Sequence, residues 1–245
     1  MSAPILLDLY CCEGGAARGY QRAGFTVMGV DLQERFAAQY AGDGFLAMSA
    51  LDALDALLTG GALVFDLRAG GYQTVYARDL TAVHASPPCQ AHTTLTKGHL
   101  ARGVDNGHVD LIEPTRPRLE QLDLPYVIEN VTSAPVRPDV TLCGLMFGLR
   151  VFRHRLFELG GWKAEQPEHP THRGHRVAGW RHGVRYEGDM FAVYGNGGGK
   201  GTVAEWQEAM GIDWTEGRLA LAEAIPPAYT EHLGRQLMAH VVGAP

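Results

Sequence analysis

Cysteine is scarce in this chain. Four occur in 245 residues, and they form no framework: Cys11 and Cys12 are adjacent, while Cys89 and Cys143 lie far apart. Adjacent cysteines rarely meet disulfide geometry, so all four read as reduced thiols of a cytoplasmic protein. No stretch of about 18 apolar residues occurs, which argues against a membrane-spanning helix. The first residues lack a basic flank and reach an acid at Asp8, unlike a secretory signal. There is no internal repeat and no low-complexity tract. The Gly-x-Gly-x-x-Gly fingerprint of a nicotinamide-dependent enzyme is also missing, since Cys12-Glu-Gly-Gly-Ala-Ala-Arg-Gly19 does not supply it. Positive charge is in deficit: the formal net charge is -6, which excludes a generally basic coat for nucleic acid.

What positive charge there is concentrates in one segment. Residues 150–185 carry eight Lys/Arg against three Asp/Glu, with five of the eleven histidines. One basic segment on an acidic body suits a protein that meets a polyanion on one face. The remaining composition, 46% hydrophobic and 20% charged, is that of a globular domain. The length suffices for one domain burying about three quarters of its unfolded surface.

Apolar runs at Ile5–Tyr10, Phe25–Val30, Ala82–Ala85 and Tyr126–Ile128 predict buried strands, each followed by polar or glycine residues. Gly14 to Gly24 opens and closes a helix, with Gly24 as its C-terminal cap. Gln33–Tyr40 and Leu51–Leu58 are expected to be helical. So is Val109–Leu122, with interruptions near Pro114 and Pro117. Two alternating runs around a glycine turn within 62–80 predict a hairpin. Strands alternating with helices argue for an α/β fold, a mostly parallel sheet covered on both faces. Ligands bind such sheets at the carboxyl ends of the strands, where all four polar strand-ends fall. Residues 160–205 have weak periodicity and are read as a small, loop-rich appendage. The expected divisions are 1–159, 160–205 and 206–245, the last returning to the first.

Three short segments carry chemistry. The turn Asp8-Leu-Tyr-Cys-Cys-Glu-Gly14-Gly15 can present backbone amides and a helix N-terminus to a nucleotide-like ligand. Asp31, after the second strand, can accept hydrogen bonds from a ribose; a helix-capping aspartate reads equally well. In Pro87-Pro88-Cys89-Gln90 two prolines stiffen the chain and would fix the pose of a thiol, a strong nucleophile once ionised. A buried structural cysteine is the alternative. Glu129-Asn130-Val131 adds a carboxyl whose pKa burial could raise. Arg153-His154-Arg155 could place a guanidinium in the same cleft. A zinc site from His169, His172 and His175 lacks partner cysteines, so these read as loop histidines and no metal is expected.

Taken in order, Asp8-Leu-Tyr, Gly14-Gly15, Ser86-Pro-Pro-Cys-Gln90, Glu129-Asn-Val131 and Arg153-His-Arg155 resemble the DNA (cytosine-5)-methyltransferase family, in particular its short phage-type members. The resemblance covers nearly the whole chain except 60–80 and 160–205. It implies a Rossmann-like S-adenosylmethionine-dependent methyltransferase fold. It further implies restriction-modification chemistry: transfer of a methyl group from S-adenosylmethionine to carbon 5 of a flipped-out cytosine in double-stranded DNA. The expected setting is a monomer in the cytoplasm, or the host cytoplasm if phage-encoded.

In that reading Cys89 adds to carbon 6, Glu129 holds N3 and the exocyclic amine, Arg155 (with Arg153 beside it) holds O2, and Asn130 braces the Pro-Cys loop. For the cofactor, Tyr10 would stack on adenine, Gly14 and Gly15 would admit the methionine part, and Asp31 would take the ribose. Cys11, Cys12, Leu32, Pro87 and Ala224 complete that set. Residues 91–108 would close over the base. Gln90, Lys97, Arg102, Arg173, Arg176, Arg181, Arg185 and Lys200 are the expected DNA contacts, reading a site of about two to four base pairs. Three departures stand out: Cys12 replaces the family's glycine, Ser49 falls where an acidic cofactor contact is expected, and Glu223 replaces an asparagine in the last motif. RNA or free cytidine nucleotide as acceptor, or a non-catalytic DNA-binding module, are the rival readings.

Overall fold

The computed structural model describes residues 3–92, 109–195 and 201–243. Eleven strands alternate with helices: β1 (Ile5–Leu9), α1 (Gly15–Arg22), β2 (Thr26–Asp31), β3 (Gly44–Ala47), α2 (Ala50–Leu58), β4 (Ala62–Leu67), β5 (Tyr72–Tyr76), β6 (Leu80–Ala85), α3 (Ile112–Leu122), β7 (Tyr126–Asn130), β8 (Val140–Leu142), β9 (Arg155–Gly160), β10 (Gly179–Arg181), β11 (Val184–Tyr186), α4 (Val203–Met210), α5 (Arg218–Glu223) and α6 (Pro227–Gly243). Nine strands form one sheet in the order β5-β4-β3-β2-β1-β6-β7-β9-β8. The five central strands from β3 to β7 pair in parallel; β4, β5, β8 and β9 pair antiparallel.

Alternation along β1 explains both cores. Leu6 joins one cluster with Tyr20, Tyr229, Leu233 and Leu237, from α1 and α6. Leu7 and Leu9 join the opposite cluster with Leu54, Leu57, Ile112 and Leu119, from α2 and α3. Successive side chains of a strand point to opposite faces, so a continuous apolar run needs helices on both sides. Close approach fixes some glycines. Gly19 of α1 lies against Pro227, Thr230 and Glu231 of α6, where no side chain would fit.

Two expectations need correction. Gln33–Tyr40 is not an α-helix; only a single 3-10 turn forms, at Glu34–Phe36. The chain is diverted because the Tyr40 ring fills the space beside Gly29 and Gly42, and its hydroxyl donates to Asp8 at 3.2 Å. Conversely, α3 runs unbroken through both prolines. Pro114 sits in the first turn, where its missing N–H would find no helical acceptor. Across Pro117, the helix is held by ion pairs from Arg116 to buried Glu158 at 2.8 Å and from Arg118 to Asp55 at 2.7 Å. The 160–205 stretch is loop-rich as expected, and within it β10 and β11 form a hairpin around His182 and Gly183, both at positive φ as a two-residue turn demands. The hairpin expected within 62–80 is present as β4 and β5. Among the described residues no helix is long and apolar enough to cross a membrane.

Candidate active site

The strand order reverses across β1: the chain leaves β1 for β2 on one side and returns through β6 on the other. The carboxyl ends of β1 and β6 therefore flank the crevice where such sheets bind ligands. The Tyr10–Gly15 turn follows one end and Pro87–Cys89 the other. Because β7 lies beside β6, Glu129 and Asn130 at its end adjoin Cys89. Because β9 runs antiparallel to β7, with Asn130 opposite Leu156, its first residue, Arg155, returns to the same place.

Cys89 is half-buried in a short 3-10 turn. Burial pushes its thiol above the ordinary value, Arg155 pulls it down, Glu129 pushes it up and Arg153 pulls it down again. All three charged groups thus act on one sulfur. The loop carrying it is held from below: buried Asn130 donates Nδ2 to the Pro87 carbonyl at 2.8 Å, while its Oδ1 accepts from the Val131 amide at 2.9 Å.

Glu129 is buried, which raises its pKa against the pull of Arg155, Arg153 and a hydrogen bond from Ser86. Arg155 Nε approaches Glu129 Oε1 at 2.9 Å. Arg155 thus meets the carboxyl as an ion-pair partner and hydrogen-bond donor, which pulls the Glu129 pKa down against burial. Behind Glu129 runs a chain that sequence reading missed. Tyr20 Oη lies 3.0 Å from His84 Nδ1, and His84 Nε2 lies 2.8 Å from Ser86 Oγ. Burial lowers the His84 pKa to about 3, so the imidazole is neutral. With Tyr20 donating to Nδ1, Nε2–H donates to Ser86, leaving the Ser86 hydroxyl to donate to Glu129. The one signal was a histidine inside the apolar run Ala82-Val-His-Ala85.

Arg153 is half-buried, at a backbone φ of 24°. Burial lowers its pKa to about 9. Its terminal nitrogens donate to the carbonyls of Val193 at 2.8 Å and Ala222 at 2.7 Å. It clamps two segments onto the site.

The turn after β1 forms a second, anionic half of the crevice. Asp8, Glu13, Asp31 and Glu223 all act on Cys12 and hold its thiol up, after burial itself. Asp8 Oδ1 and Glu13 Oε2 are buried without hydrogen-bond partners among the described residues, and Asp8 is raised to about 8, chiefly by burial. Asp31 accepts from the amides of Cys12 at 3.0 Å and Gln33 at 2.9 Å; beside it Leu32 is 74% exposed. Cys12 adopts a positive φ of 46°. Cys11 is buried. Tyr10 donates to or accepts from Thr115 Oγ1 at 2.7 Å. Ser49 plays a structural part, capping α2 by accepting from the Asp52 amide at 3.5 Å. The space a Cβ would take at Gly15 is filled by Ile225 and Ala224, and at Gly14 by Ala41 and Tyr40. On those sides the glycines admit the protein's own chain.

The expected nucleic-acid contacts are more dispersed. Gln90, Arg173, Arg176 and Arg185 are exposed, and Arg185 pairs with Glu187 at 3.3 Å. Arg181 lies on β10. Lys97, Arg102, Lys200 and residues 93–108 of the expected closing segment 91–108 lie outside the described residues. The base of that segment is tied: His92 and Asp110 approach to 3.0 Å, and Ser133 donates to the His92 carbonyl at 2.6 Å. Sequence reading also missed the exposed Trp180 and Tyr186 of the β10–β11 hairpin.

No protein-family model and no curated protein matches the sequence. Among solved structures, the Entamoeba histolytica methyltransferase EhMeth superimposes with a TM-score of 0.58 at 11% identity, over 98% of this chain and 99% of that one. The S. pombe Dnmt2 methyltransferase gives 0.47 at 13% identity, over 97% and 99%. The first likeness shows the fold: α/β and Rossmann-like.

Proposed function

We propose that the chain is an S-adenosylmethionine-dependent cytosine-5 methyltransferase acting on DNA, with Cys89 as nucleophile. The observation that carries this reading is the convergence of Cys89, Arg155 and buried Glu129 in one crevice, with Arg155 Nε 2.9 Å from the Glu129 carboxyl. In this reading the exocyclic amine of a cytosine donates to Glu129, whose carboxyl, raised by burial, passes a proton to N3. Arg155 faces O2, and the Cys89 thiolate adds to carbon 6 as N3 is protonated, leaving carbon 5 nucleophilic. After methylation the carbon-5 proton passes to solvent, the Cys89 thiolate is expelled and the N3 proton returns to Glu129. Asn130 keeps the sulfur in place, and Arg153 acts as a positioning residue.

The other half of the crevice fits a cationic cofactor. Unpartnered carboxylate oxygens of Asp8 and Glu13 suit its ammonium and sulfonium charges, Asp31 the ribose, and exposed Leu32 the adenine face. When bound, S-adenosylmethionine supplies an electrophilic methyl group. Tyr10, Cys11, Cys12, Gly14, Gly15, Pro87, Glu223 and Ala224 complete the wall. Residues 160–205, with the β10–β11 hairpin and Arg173, Arg176, Arg181 and Arg185, form the recognition region between 1–159 and 206–245. So small a region suits a short site.

The test is methyl transfer from labelled cofactor to DNA, RNA and dCMP in parallel, with covalent trapping on 5-fluorocytosine DNA. Labelled DNA and a trapped adduct, both lost in Cys89→Ala, are expected. Label in RNA or dCMP alone moves the acceptor; adduct formation by Cys89→Ala overturns the nucleophile.

A further inference from the structure

Away from the crevice, four potential metal ligands meet. Cys143 Sγ and the ring nitrogens of His154, His169 and His172 lie within 4.8 Å of one another. They come from three separate places: the residue after β8, the segment entering β9, and the stretch that follows β9. His154 Nε2 lies 3.0 Å from His169 Nε2, and Cys143 Sγ lies 3.4 Å from His172 Nε2. The His154 and His169 rings stack at 5.2 Å with 8° between their planes, and both lie about as close to His172. Phe152 stacks on His172 at 4.2 Å and fixes its plane.

We propose that these four side chains bind one zinc ion. One thiolate and three imidazoles are a donor set zinc favours, and sulfur and nitrogen at about 2.3 and 2.0–2.1 Å from a tetrahedral ion stand roughly 3.3–3.6 Å apart. The two closest separations, 3.0 and 3.4 Å, bracket the lower edge of that range. No carboxylate belongs to the cluster. His175, which the sequence groups with His169 and His172, is outside it: its Nδ1 pairs with Asp189 at 2.5 Å. Sequence spacing therefore showed two of the four ligands, and the sheet brings Cys143 and His154 to them.

Binding would deprotonate Cys143, the proton passing to solvent as the sulfur bonds to zinc. The ion would staple the 165–175 stretch to the strand pair β8–β9. It would also fix His154, whose two neighbours in the chain are Arg153 and Arg155. This proposal is independent of the reading of the crevice, and its test does not use methyl transfer. The full chain, with any affinity tag removed, is assayed for bound metal by mass spectrometry and then loaded with Co²⁺ in place of zinc. One metal per chain is expected, with a thiolate-to-cobalt charge-transfer band in the near ultraviolet. Cys143→Ser should abolish that band, and Cys143→Ser and His172→Ala should each weaken metal binding about tenfold or more; His175→Ala should leave both unchanged. For variants that do not fold, the unchanged chain provides a second measurement: chelation should increase proteolysis within 160–175, and added zinc should reverse it. A purified chain without metal that takes up no Co²⁺, or a Cys143→Ser variant that keeps the band, overturns the proposal.

Discussion

Asn130→Ala tests whether the pose of the nucleophile is set from beneath. The asparagine is buried and makes two bonds, to the Pro87 carbonyl at 2.8 Å and from the Val131 amide at 2.9 Å. Truncation strands both partners. An unsatisfied buried group costs ~1–3 kcal/mol. The Pro87 carbonyl, in the buried pair, should bear the upper part of that range and the part-buried Val131 amide the lower, for a total of about 3 kcal/mol. With a urea slope of about 3 kcal/mol/M for a chain of this size, the unfolding midpoint should fall by about 1 M. The catalytic effect should be larger than stability alone explains. A nucleophile displaced by about 1 Å loses ~100-fold in rate, measured well below the midpoint, where the variant remains folded. Asn130→Asp separates the two bonds: it keeps an acceptor for Val131 but loses the donor to Pro87 while ionised. Its rate should recover partly at acidic pH, where a protonated carboxyl can donate. An Asn130→Ala variant with an unmoved midpoint, or with full methyl transfer and full trapping on 5-fluorocytosine DNA, would refute the reasoning.

Three further outcomes follow from the same geometry. Asp8 is raised to about 8, so it is protonated at neutral pH, and a cation beside it favours the ionised form. Cofactor affinity should therefore rise as pH climbs through about 8, with a proton released below it; calorimetry in buffers of different ionisation heat that finds no proton release would contradict this. His84 is neutral in the fold with its pKa lowered to about 3, against about 6.5 when unfolded. Its contribution is present above 6.5 and lost as pH falls toward 3, up to ~5 kcal/mol in full; His84→Leu should flatten the acid limb of urea stability, and an unchanged limb would count against it. In Gly15→Ala the new Cβ would stand 2.5 Å from the Ile225 carbonyl oxygen and 3.0 Å from its nitrogen. The expected cost is ~1–3 kcal/mol with weakened cofactor binding; a thermal midpoint equal to the unchanged chain would show that the segment yields freely.

The sheet was legible because its central strands are continuous apolar runs, and only a strand covered on both faces needs Leu6, Leu7 and Leu9 to be apolar together. The crevice was legible because Cys89, Glu129 and Arg155 each sit at a strand end, where sequence already marks a break. What escaped depends on contacts across the chain. The Phe36–Tyr40 stretch has helical spacing, yet the Tyr40 ring is drawn into a gap left by Gly29 and Gly42, and neither glycine announces its partner. Ser49 stood where an acid was expected, and only its bond to the Asp52 amide shows it as a cap. His84 looked like one polar residue in an apolar run until Tyr20 and Ser86 appeared on either side of its ring. In the β10–β11 hairpin, glycine, histidine and arginine obscure an alternation that the His182-Gly183 turn makes regular.

Trp214 donates to the Glu13 carbonyl at 2.9 Å, and Thr230 to the Ala16 carbonyl at 2.8 Å, across sequence separations of 201 and 214. At about 5–20 residues per second of synthesis, the first helix waits roughly ten to forty seconds for the residues that cover it. Until then its apolar face has no permanent lining. A nascent chain stalled short of this late segment should therefore engage chaperones through its opening helix, and ligand capture should be among the last abilities acquired.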